Sequence, residues 1–235
     1  MFNRICRNLY PSLIITLMLP LPALAIPAIT CHCFTDRAYD PARPSIADPY
    51  FLATTANSFF SAAFGVEKKS IVIKKQKGVS ADDLWIGYWL AARSGVDPEI
   101  LLEQRKIKGS WRQVAAPLAI PVKSLGGRVA ETLNNNFADE RLANAVVDEL
   151  LLRFRFHSEP ELLILRKAGA GNQELIIAAL IAAKTGQPAI QLYRDVKEGR
   201  TSWGALLQRS KIEPADIQSE IATLIKTANV FSSSR

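Results

Sequence analysis

The chain has 235 residues, 49% of them hydrophobic, and a formal net charge of +7. That length buries a substantial core, as one domain or two closely packed ones. Three cysteines exclude a disulfide-stapled scaffold, and no stretch beyond the N-terminus is long and apolar enough to span a membrane.

In chain order, the first element reads as an export signal. Arg4 and Arg7 form a basic region, Leu13 to Leu19 an apolar core, and Ala23-Leu24-Ala25 an A-x-A cleavage site. Pro20 and Pro22 interrupt the apolar run, which suits a cleaved signal (residues 1–25) better than an uncleaved membrane anchor. Thr30 before Cys31 disfavours a lipoprotein. Loss of Arg4 and Arg7 lowers the net charge from +7 to +5, and the expected compartment is the periplasm or the outside of the cell.

Residues 26–47 read as an irregular, extended arm carrying Pro41, Pro44 and Ser45. Within it, Cys31, His32 and Cys33 place two thiols and an imidazole side by side. Such a set can hold a soft metal, Cu(I) or Zn²⁺, once a further ligand joins from elsewhere. The spacing fits neither a zinc ribbon nor covalent haem attachment. In an oxidising compartment the leading expectation for Cys31 and Cys33 is a disulfide, within the pair or between chains. No other cofactor is expected.

Everything after the arm reads as helix. Asp48-Pro49 looks like an N-cap and first residue of a helix ending at Gly65, with Phe51, Phe59, Phe60 and Phe64 as apolar payload. A short helix follows over Lys68 to Lys77. Ser80 and Asp83 form a capping-box-like start for Ala81 to Arg93, in which Leu84, Trp85, Tyr88, Trp89 and Ala92 make an apolar stripe ended by Gly95. Asp97-Pro98-Glu99 opens the next helix, and Ser110 caps a short one beginning at Trp111.

The same order then returns. Gly78 recurs as Gly169 and Gly95 as Gly186, an offset of 91 residues; one insertion makes it 92 at Ser110/Ser202 and Trp111/Trp203. Gly78 and Gly169 suit the residue just past a helix. The expected fold is all-α: two similar multi-helix units, 48–121 and 139–213, joined by a connector (122–138) and closed by a terminal helix with a frayed tail (214–235). The only alternating β-branched run, Ile71-Val72-Ile73, aligns with Leu162-Leu163-Ile164 and reads better as helix.

Several features invite a functional reading. Lys108 to Ile120 resembles the first part of a helix-turn-helix. Pro121 and Gly126-Gly127 interrupt the place of its recognition helix, and copy two puts Glu213, Asp216 and Glu220 there, so no nucleic acid is expected. The four tryptophans fall at repeat or stripe positions and read as core. Lys68, Lys69, Lys74, Lys75 and Lys77, with Arg166 and Lys167 in copy two, read as a solvated basic face or as a surface for an anionic polymer. Asp82-Asp83 and Asp139-Glu140 read as helix starts. No nucleophile elbow and no His-Glu-x-x-His is present, and His157 stands near a helix end.

The segment Cys31-His32-Cys33-Phe34, with Asp48-Pro49-Tyr50 and the stretch Trp85 to Gly95, resembles a group of exported bacterial α-helical proteins with no assigned activity. The resemblance implies export and a helical fold, and transfers no role to any residue. The leading expectation is an exported, non-enzymatic helical scaffold that contacts an envelope protein or an anionic envelope polymer. The alternatives are a periplasmic thiol- or metal-handling protein and a carboxylate-dependent envelope hydrolase.

Overall fold

The computed structural model describes residues 34–135 and 137–233, with side chains as far as Asn229. The signal segment, its cleavage site and Cys31-His32-Cys33 lie outside the described residues. Among the described residues there are thirteen α-helices and no strand, so the fold is all-α.

The two copies run through the same helices in the same order. Copy one has α1 (Asp48–Phe64), α2 (Lys68–Gln76), α3 (Ala81–Ser94), α4 (Pro98–Lys108) and α5 (Trp111–Ala115). Copy two has α8 (Asp139–Arg153), α9 (Glu159–Lys167), α10 (Asn172–Thr185), α11 (Ala189–Lys197) and α12 (Trp203–Arg209). Several helices start and stop with the chemistry read from the chain. Gly95 and Gly186 end α3 and α10 at φ 73° and 72°, a left-handed conformation in which an L side chain is strained. Ser110 and Ser202 accept hydrogen bonds from the N–H groups of Gln113 and Ala205, which cap α5 and α12.

The connector is itself helical. It holds α6 (Val122–Leu125) and α7 (Gly127–Asn134). Gly126, at φ 87°, makes the bend between them, and the Glu149 side chain fills the space where a Cβ would stand. The last helix, α13 (Ile217–Ser233), outruns expectation: it stays helical past Val230 instead of fraying. No glycine or proline follows Thr227 to stop it, and Ile217, Ile221, Ile225 and Ala228 are buried along its length.

Packing crosses the sequence boundaries of the copies. The first helix of each copy packs on the third helix of the other: α3 lies on α8, and α10 lies on α1. The helix closing each copy does the same, with α7 on α8 and α13 on α1. α1 therefore completes the bundle built from copy two, and α8 completes the one built from copy one. The central helices show it in their burial. Every residue from Leu175 to Ile181 in α10, and from Leu84 to Ala91 in α3, is buried, so both helices are apolar all round and enclosed. This is wider than the stripe read from sequence, and Ala92 and its counterpart Ala183 face solvent. Phe59 and Phe60 of α1, Trp85 and Tyr88 of α3, and Phe154 and Phe156 just past α8 form a ring cluster with centroids 4.6–6.2 Å apart, which ties the two bundles together.

Asp48 is a correction. It is the first residue inside α1, not its cap, and its carboxylate accepts from the backbone N–H groups of Trp203 and Gly204 at 3.0 and 2.8 Å. The opening N–H groups of a helix lack internal partners and favour negative charge, so Asp48 caps α12 of the other copy. The described part of the arm, from Phe34, is irregular as expected, but from Asp40 it turns instead of extending. Ala47 is buried, and the Pro44 carbonyl accepts from Ser202 Oγ at 2.6 Å.

Candidate functional site

α1 carries an unusual load of buried polar side chains: Thr54, Thr55, Asn57, Ser58 and Ser61. A buried polar group without a partner costs roughly 1–3 kcal/mol, and neighbouring helices answer Asn57, Ser58 and Ser61, while Thr55 Oγ1 has no partner among the described residues. α2 does so with two of its lysines. Lys68 Nζ donates to Ser58 Oγ at 3.2 Å and Lys75 Nζ to Asn57 Oδ1 at 2.7 Å. From α13, Gln218 donates to Ser61 Oγ at 3.2 Å. The basic run is therefore not one solvated face. Lys68 and Lys75 turn inward, Lys74 pairs with Glu99, and Lys69 and Lys77 face solvent.

Lys75 opens into a cleft of ≈ 360 Å³ where α1, α2, the start of α3 and the start of α10 meet. Leu52, Ala56, Phe60, Leu84 and Trp85 supply its apolar surface, and Asn57, Lys75, Asp82 and Glu174 its polar groups. Burial pulls the Lys75 ammonium down to about 8. Burial also pushes the Asp82 carboxyl up, helped by Glu140, Asp83 and Asp139. The two acidic pairs read as separate helix starts thus face one another. Arg105 sits among them, paired with Asp139 and 3.4 Å from Asp83, which also accepts from Trp111 Nε1 at 2.8 Å.

The counterpart of Lys75 and Asn57 in copy two, 91 residues on, is Arg166 and Asp148. There the pair is complete. Arg166 Nη2 lies 2.6 Å from Asp148 Oδ1, Nη1 donates to the Ala170 carbonyl at 3.0 Å, and Nη2 also reaches Asn172 Oδ1 at 2.5 Å. Both side chains are largely buried, at 18% and 12% exposure. In copy one a neutral amide replaces the carboxylate. Among the described residues no carboxylate lies within ion-pair distance of Lys75.

The other predicted positions are architectural. Trp111 and Trp203 are 1% and 2% exposed and open equivalent helices. Trp85 and Trp89 are core, Trp89 Nε1 donating to the Leu125 carbonyl at 3.0 Å. Gly78 and Gly169 follow α2 and α9 at φ 88° and 91°. His157 is buried, with Nε2 3.0 Å from the Leu175 carbonyl and Nδ1 3.1 Å from Glu161, and it pins the turn after α8 to α10. Cys31, His32 and Cys33 lie outside the described residues; among those described, no group of three His, Cys, Asp or Glu side chains is placed to hold a metal. No helix among the described residues is long and apolar enough to cross a membrane. The residues of the cleft come from four separated segments, so no local pattern in the chain marks it. The Lys75/Asn57 to Arg166/Asp148 correspondence was available from the offset alone. No family model, curated protein or solved structure matches this chain.

Proposed function

We propose that the chain is an exported, non-enzymatic helical scaffold of a bacterial envelope, working through contact with another protein or an anionic envelope polymer. Export rests on Arg4, Arg7, the apolar run after them and Ala23-x-Ala25. The observation that supports contact is on α4. Leu101 and Leu102 pack inward, while Ile100 and Ile107, 55% and 75% exposed, stand seven residues apart on one outward face. Apolar side chains aligned in water offer area that only a partner covers. Asp82 and Glu174 line one cleft, the arrangement a carboxylate hydrolase would draw on. Glu174 is already committed to the Gly171 N–H at 2.8 Å, so contact is the preferred reading. The thiol- or metal-handling alternative rests on Cys31, His32 and Cys33 in the sequence alone.

The test is a pull-down from envelope fractions with the wild-type chain and with Ile100→Glu/Ile107→Glu. A partner retained by the wild type and lost from the variant, at unchanged melting temperature, is expected. The same proteins on both, or none on either, would defeat the proposal.

A further inference from the structure

We propose that the cleft between α1, α2, α3 and the start of α10 binds a small carboxylate with an apolar body, its carboxylate seated on Lys75 and its body against Phe60 and Trp85. This site is separate from the α4 face and stands without the scaffold reading.

The duplication carries the argument. In copy two the cation at this place, Arg166, is met by a protein carboxylate, Asp148, at 2.6 Å. In copy one the carboxylate has become Asn57, and the cation borders open space. A buried ammonium held by an amide oxygen is poorly compensated, and a carboxylate brought by a ligand restores the pair that copy two keeps.

The cleft walls fit the same occupant. Gly171, the residue before α10, has no side chain to cap the first-turn N–H groups, and it lines the cleft with Asn172 and Gln173. The Gly171 N–H is taken by Glu174, and the N–H groups of Asn172 and Gln173 with the helix dipole favour an anion beside Lys75. Phe60, Leu84 and Trp85, 1–5% exposed, present ring and aliphatic surface to the rest of the ligand. A volume of ≈ 360 Å³ suits a molecule of fatty-acid or arylalkanoate size. Asp82 and Glu174 on the walls repel any anion, and a dianion such as phosphate about twice as strongly, so the species that Lys75 seats is a monocarboxylate.

Octanoate is the probe, read by calorimetry and by tryptophan emission, since Trp85 lines the cleft. It is expected to bind saturably at millimolar concentration or below, with octanol and inorganic phosphate much weaker. Lys75→Met removes the cation, and Asn57→Asp supplies the internal carboxylate of copy two; each is expected to weaken octanoate by about tenfold or more. Absence of octanoate binding to the wild type, equal binding of octanol, or octanoate affinity in both variants unchanged from the wild type would each overturn the proposal. The octanol comparison uses the unaltered chain, so it holds even if a variant fails to fold.

Discussion

Trp203→Ala is expected to lower unfolding stability by about 3–5 kcal/mol, the usual cost of emptying a large aromatic site in a core. The indole is 2% exposed, and α12, which it opens, packs on both α1 and α10. The backbone N–H of Trp203 is also one of the two that Asp48 caps. Relaxation around the cavity would have to move α1, which itself holds α13. Urea unfolding followed by far-ultraviolet circular dichroism measures the loss. A change under about 1 kcal/mol would place Trp203 outside the core.

Asp148→Ala is expected to cost about as much, roughly 3–5 kcal/mol, by a different route. It leaves the Arg166 guanidinium largely buried, with the Ala170 and Asn144 carbonyls and Asn172 as remaining neutral partners. Removing one member of a buried pair costs more than removing both, because the stranded charge is what is penalised. Asp148→Leu combined with Arg166→Met is therefore expected to recover most of the loss. Thermal unfolding of the two single variants and the double variant checks it; additive losses in the double variant would mean that the two side chains do not act as a pair.

Helix positions were legible from the chain because local chemistry sets them. Ser80, Asp97, Ser110 and Ser202 each cap the helix that follows, and Gly95 and Gly186 end theirs. Local chemistry does not say which helix faces which. Asp48 carries every sign of capping its own helix, yet its carboxylate serves α12, more than 150 residues away. Likewise, a lysine-rich helix reads as a solvated face until the polar strip of α1 is placed beside it, when Lys68 and Lys75 prove to be inward partners. In the connector Gly126-Gly127 reads as an interruption, and Gly126 is the bend at which one helix ends and the next begins.

The central claim is that the copies interlock, with α1 packed into the bundle of copy two. Phe51 of α1 and Gly204 of α12 test it directly. A Cβ built on Gly204 would stand 2.8 Å from Phe51 Cε2, too close for either to stay in place. Gly204→Ala alone is then expected to destabilise by about 1–3 kcal/mol, the usual penalty of overpacking. In a Phe51→Leu background the shortest contact is relieved, only the milder one to Tyr39 Cδ2 at 3.2 Å remains, and most of that penalty should disappear. A double-mutant cycle on unfolding free energy reads the coupling. A strong rescue is the result expected if α1 lies on α12, and an equal penalty for Gly204→Ala in both backgrounds would contradict the interlocked fold.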